Sequence, residues 1–261
     1  MRNEREMMEL EICVDSLESA IAAEQGGAQR IELCSALSEG GITPSAGLVR
    51  AVRAKVSLGV HVMIRPRGGD FLYSDEELAV MRDDISLASH FGADGVVLGV
   101  LTAEGEVDVE RTRELVDLAR PMEVTFHRAI DMARDLNVAV EDVAKTGVNR
   151  ILTSGGAASA EQGMEQIAGM VKTAGDRVRI MVGGSVRPGN VQEIARATGA
   201  SAFHAALRTA VPSPVTHRND GVSLGQAGVD EYIRYAVLRE SVESLKLAME
   251  ELVPSGGKKQ R

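Results

Sequence analysis

Tryptophan is absent from this chain, and its 261 residues hold only four phenylalanines and three tyrosines. A large core must therefore be built from Ala, Val, Ile, Leu and Met, and an apolar fraction of 44% is enough for one. Positive charge is also in short supply: 29 Lys and Arg stand against 38 Asp and Glu, a net charge of −9. Broad nucleic-acid binding needs a basic face, so nucleic acid is not an expected partner. No run reaches the roughly 18 apolar residues of a membrane span. The charged stretch 1–9 has no signal-peptide core. No membrane partner is expected, and a cytoplasmic location is. Cysteine occurs twice, as Cys13 and Cys34. In that compartment two reduced thiols are expected rather than a structural disulfide.

What is present is an alternation of short β-like runs with amphipathic helical runs. Strands are expected over 10–14, 30–33, 60–65, 95–99, 123–127, 150–153, 179–182 and 202–204, each followed by a helix. Helix starts are marked by Asp15-Ser16-Leu17-Glu18, Thr43-Pro44, Ser74-Asp75-Glu76-Glu77, Ser159 with Gln162, and Pro188. Eight such units in about 250 residues predict an α/β protein, a single (β/α)₈ barrel of the TIM type. A doubly wound open sheet is disfavoured, because no G-x-G-x-x-G follows the first strand and no organic cofactor is indicated. One domain is expected over 1–253 and a disordered tail over 254–261. The segment 211–228, rich in Pro, Ser, Gly and Asn, reads as a loop, and 231–251 as a closing helix.

Barrels of this kind gather their chemistry at the C-terminal ends of the strands. Side chains alternate along a strand, so Glu11 shares a face with Cys13, Glu32 with Cys34, and Met63 with Arg65. If these faces point inward, the charges must be paired, and Glu11 and Glu32 flanking Arg65 would satisfy that. Arg67 follows in the glycine-rich loop after Pro66. Two arginines at one sheet end point to an anion, and so do Ser154 with Gly155-Gly156 and Gly183-Gly184, whose backbone N–H groups can approach one closely. Plain turn chemistry is the simpler account of the glycines. His127 is preferred over His204 for proton transfer, with Asp131 or a glutamate to orient it. These residues compose a possible enzyme of isomerase or lyase type: His127 as acid or base, Arg65 on the anion, Glu11 or Glu32 as orienter or second base. No lysine stands at a strand end for Schiff-base chemistry. Cys13 and Cys34 end adjacent strands and can approach one another. Two thiols so placed can hold a soft ion such as Cu(I), although two small buried residues would look the same.

Two segments identify the chain more closely. Met63-Ile64-Arg65-Pro66-Arg67-Gly68-Gly69-Asp70-Phe71 and Thr125-Phe126-His127-Arg128-Ala129-Ile130-Asp131 resemble the two hallmark motifs of the CutC family. Thr153-Ser154-Gly155-Gly156 and Gly183-Gly184-Ser185-Val186 are similar to its later motifs, and Glu11-Ile12-Cys13-Val14-Asp15-Ser16 to its first strand. The resemblance covers about residues 9 to 210. It implies a (β/α)₈ barrel, a cytoplasmic role in copper homeostasis, a homo-oligomer, and Cys13 and Cys34 as Cu(I) ligands. It implies no established reaction. The arginine pair, in contrast, favours a small anionic metabolite, phosphorylated ones included.

Overall fold

The computed structural model describes residues 8–219, 221–222 and 230–252; the tail expected over 254–261 lies outside them. Eight parallel strands close into a barrel in sequence order: β1 (Glu9–Val14), β2 (Arg30–Leu33), β3 (Gly59–Met63), β4 (Gly95–Leu98), β5 (Glu123–Phe126), β6 (Arg150–Thr153), β7 (Arg179–Val182) and β8 (Ala202–Ala205). Helices α1 (Leu17–Gln25), α2 (Ala46–Arg53), α3 (Asp75–His90), α4 (Val109–Ala119), α5 (Leu136–Ala144), α6 (Met164–Ala174) and α7 (Val191–Thr198) fill the seven connections. The expected strands are all present, with ends displaced by one or two residues.

Strand parity divides the residues into two populations. Ile12, Ile31, Val62, Leu98, Phe126, Ile151, Val182 and Phe203 share one continuous core with the buried faces of the helices. The opposite parity points inside the barrel. There, among the described residues, the apolar side chains form two small clusters, Cys13, Cys34, Met63 and Val97, and Leu152, Met181 and Ala202. The outer layer carries the stability, at about 1.5–3 kcal/mol for each fully buried Val, Ile, Leu or Phe. The interior is left for polar groups.

Several helix starts differ from expectation. Ser74 and Glu77 do form a reciprocal capping box at α3. At α1, however, the cap is Ser16, whose side chain accepts from Ser19 N, and not Asp15. Ser45 caps α2, which leaves Thr43 and Pro44 in the loop. Ser159 accepts from Gln162 N in a turn of its own, and α6 begins only at Met164. Asn190 rather than Pro188 precedes α7. Ser16 and Ser45 hold extended backbone and so set the starts of α1 and α2, whereas Gly163 and Asn190 precede α6 and α7 without a side-chain cap.

The largest departure follows β8. Strand β9 (Arg208–Pro212) pairs antiparallel with β10 (Ile233–Val237), and only then does α8 (Arg239–Glu250) begin. The segment expected as loop thus starts in a strand, and the expected closing helix starts eight residues late. Alternation of Ile233, Tyr235 and Val237 is a strand pattern that a helical reading of 231–251 overrides. Val237 N donates to Ser19 Oγ at 3.1 Å, which ties the ribbon to α1.

Candidate metal centre at the barrel mouth

Charge fills the lower half of the barrel. Register pairs Glu11 with Arg30 and Cys13 with Glu32. Arg30 donates to both Glu11 and Glu9 and is itself 4% exposed. Arg179 reaches Glu9 at 2.9 Å, and Arg150 reaches Glu123 at 2.6 Å and Glu9 at 3.3 Å. Arg30, not Arg65, therefore neutralises Glu11. Arg65 lies past the end of β3, at the level of the loops. Its guanidinium donates to the carbonyls of Glu39, Gly41 and Gly69 at 2.7–3.0 Å and lies 4.9 Å over the Phe71 ring. A guanidinium offers five donors; three loop carbonyls accept from its two terminal nitrogens here, and Nε is buried without a partner. The expected Glu11–Arg65–Glu32 group does not exist.

Above the charged layer, the interior narrows to Cys13, Cys34, Glu32, His204 and Met63. The two sulphurs are 3.8 Å apart. Cys34 Sγ is 3.4 Å from Glu32 Oε2. His204 places Nδ1 2.7 Å from Glu11 Oε1 and Nε2 3.9 Å from Glu32 Oε2. Ligand atoms of Cys13, Glu32 and His204 all lie within 4.8 Å of one another. Cys13, Glu32, His204 and Met63 line a cavity of about 250 Å³ at the C-terminal mouth, together with Arg65, Phe71 and His127.

Electrostatics sort the protons. Burial raises the Glu11 carboxyl, but the Arg30 charge and the His204 bond overcome it and hold it well below the carboxylate range. Burial also opposes a charged His204, yet Glu32 and the bonds to Cys13 and Glu11 raise the imidazole well above its ordinary value. Contact with the Cys34 thiol, partly offset by burial and helped by His204, brings Cys13 down to about 5. Its neighbour Cys34 is pushed up by that same contact and by burial. Glu32 has no arginine of its own, and burial and the Cys13 charge push it up. These shifts favour a proton on His204 over one on Cys13. Glu32 Oε1 is buried without a hydrogen-bond partner.

Most of the remaining expected site residues are bonded within the chain. Arg67 bonds Glu77 at 2.5 Å and Asp70 at 3.1 Å and caps the carbonyl of Leu72 at 2.8 Å. The loop after β6 does cradle an anion, but the anion is the chain's own Asp131. Its carboxylate accepts from Ser154 N, Ser154 Oγ, Thr153 Oγ1 and Gly156 N at 2.5–3.1 Å. Gly155 N donates to Thr153 Oγ1 instead. Gly183 N continues the strand ladder to Thr153 O, and Gly184 O accepts from Ala160 N. Asp131 therefore does not orient His127. His127 Nδ1 accepts from Ala129 N at 3.2 Å, which leaves the proton of the neutral ring on Nε2.

His61 and His127 occupy space that β4 vacates. A Cβ on Gly95 would stand 2.6 Å from the His61 ring, and one on Gly99 would stand 2.7 Å from that of His127. Gly95→Ala is expected to cost about 1–3 kcal/mol by overpacking, measured as a lowered urea midpoint; an unchanged midpoint would show that the ring moves freely. Burial lowers both histidines, His61 to about 4 and His127, with help from Arg65, to about 3. A lowered folded pKa means that the unfolded chain binds the extra proton first. Stability is then fully present above about pH 6.5 and falls by about 1.4 kcal/mol per pH unit per histidine as pH drops below it. Comparison of wild type with His127→Gln checks this, because their stability difference must change between pH 6.5 and pH 4. Parallel curves would refute it.

Arg30 and His204 are the two members of the site that sequence reasoning underrated. Arg30 shares parity with Glu32 and Cys34, and that signal was readable.

Fold and site together define a (β/α)₈-barrel protein whose mouth holds a cluster of thiol, carboxyl and imidazole groups. The sequence model of the CutC family matches residues 8–209, and the chain belongs to that family. A CutC family protein of Chromobacterium violaceum is 50% identical over 241 residues, covering 92% of this chain and 98% of that one. The human copper homeostasis protein cutC homolog is 49% identical over 216 residues, covering 83% of this chain and 79% of that one. The solved structure of CutC from Streptococcus agalactiae superposes with a TM-score of 0.73 at 33% identity, over 76% of this chain and 98% of that one.

Proposed function

We propose that this chain serves copper homeostasis by binding Cu(I) at the barrel mouth, with Cys13 and Cys34 as thiolate ligands. The observation that carries this reading is the approach of its two free thiols to 3.8 Å in a buried cluster. Cu(I) is soft and accepts two thiolates, and the Met63 thioether packs against the same pair. His204 and the unpartnered Glu32 Oε1 stand close enough to complete or neutralise the shell. The names of the human relative and of CutC proteins point the same way.

Reduced thiols fit a cytoplasmic location, and no helix among the described residues is long and apolar enough to cross a membrane. A single barrel domain over 1–253 working as a homo-oligomer completes the proposal. An anionic metabolite is less well supported, because Arg65, Arg67 and the β6 loop already have partners within the chain. Competition for Cu(I) against a chromophoric chelator tests the reading. One ion per chain, withheld from the chelator, is expected; transfer of all the copper to the chelator contradicts it.

A further inference from the structure

The Cys13 side of the cluster has an organisation that metal binding does not require. Glu11 is fixed by Arg30 and accepts from, or pairs with, His204 Nδ1 at 2.7 Å. That bond leaves the other nitrogen of His204 facing Cys13 and Glu32, with the three ligand atoms within 4.8 Å. Cys13 lines the cavity at the mouth. A thiol, an imidazole within reach of it, and a carboxylate that fixes the imidazole's orientation are the parts of an activated nucleophile. A second observation points to a ligand in the same cavity. His127 Nε2 is a buried N–H donor without a hydrogen-bond partner, on a ring that lines the cavity and is 4% exposed. A buried donor in this position seeks an acceptor oxygen.

We propose that Cys13 is the nucleophile of an acyl-transfer activity, with His204 as its acid–base partner, Glu11 positioning His204, and His127 donating to the carbonyl oxygen. The substrate class is a compact ester or thioester. The cavity of about 250 Å³ limits its size. In the first half, His204 takes the Cys13 thiol proton, the Cys13 sulphur bonds to the carbonyl carbon and the C=O electron pair moves onto oxygen. The carbonyl re-forms, the bond to the leaving group breaks, and His204 supplies the leaving group's proton. In the second half, water attacks the Cys13 thioester, His204 takes one proton of that water and passes it to the Cys13 sulphur as the C–S bond breaks, and the carboxylic acid departs. The cysteine is regenerated, and the net change is hydrolysis. An alcohol or thiol in place of water gives transfer.

This activity uses Cys13, which the copper reading also uses, but it needs no metal. The test is therefore run on metal-free, reduced full-length protein with p-nitrophenyl acetate. A burst of about one p-nitrophenolate per chain is expected, with the acetyl group mapped by mass spectrometry to Cys13. Cys13→Ala removes the burst. His204→Gln slows it by about 100-fold or more, within the range of general acid–base catalysis. Acetyl groups scattered over lysines with none on Cys13 would overturn the proposal. So would a label shared equally by Cys34, or a burst unaffected by His204→Gln in a variant whose circular dichroism matches wild type. The adduct map on wild type decides the matter alone if the variants do not fold. Tight Cu(I) binding without acylation overturns this inference only, and acylation without Cu(I) binding overturns the copper reading only.

Discussion

Replacing Cys13 and Cys34 together by serine is expected to lower Cu(I) affinity by at least about 100-fold, or about 2.8 kcal/mol. The reasoning is one of ligand softness. Serine preserves the side-chain size and leaves a hydroxyl where each thiol stood, but hydroxyl oxygen is a hard and scarcely ionised donor for Cu(I). The fold should survive the change, because neither cysteine is part of the continuous outer core. What disappears is the pair of sulphurs 3.8 Å apart. Chelator competition on the double variant provides the number. His90→Gln, on the exposed end of α3, is the control and should bind as wild type does. An affinity for the double variant within about threefold of wild type would remove these ligands from the account.

Arg30→Met should cost about 3–5 kcal/mol of stability, the penalty for leaving a buried charge without its partner. Glu9 keeps Arg150 and Arg179 after the change, but Glu11 is 0% exposed and keeps only His204. The loss is therefore specific to Glu11 and should be relieved by removing the second charge. Arg30→Met combined with Glu11→Gln is expected to be more stable than Arg30→Met alone. Urea unfolding measures both, with an unchanged m-value as the sign that the same surface is exposed. A single variant within about 1 kcal/mol of wild type would show that the interior charges are not a bonded network. Arg65→Ala should act differently, loosening the loops around Glu39, Gly41 and Gly69 without touching Glu11.

Much of this was legible in the chain itself. Eight strands followed from alternating runs, since a strand's two faces and a helix's apolar stripe leave different periods in the sequence. Which side chains share a face also followed, because parity is fixed by the pleat, whereas which face turns inward was left open. Depth along the barrel did not follow. Parity allowed Glu11, Glu32, Arg30 and Arg65 an inner face alike, and only the stagger between β1 and β2, which brings Glu11 beside Arg30, decides who meets whom. That stagger belongs to barrel closure and leaves no mark in any one strand.

The loops were opaque for a different reason. Arg65, Arg67 and the glycine-rich turn after β6 all have the composition of an anion site, and each finds its partner in the backbone or in Asp131. Residue types show the capacity to bind, and only geometry shows whether that capacity is already used. The cysteines were the reverse case. Their spacing allowed an approach that the structure realises, and it adds Glu32 and His204 beside them.

The most direct measurement is X-ray absorption at the copper edge of the wild-type protein loaded with one Cu(I) per chain. Copper surrounded by two sulphur neighbours is the predicted result. A shell of nitrogen and oxygen alone would contradict a thiolate site at Cys13 and Cys34.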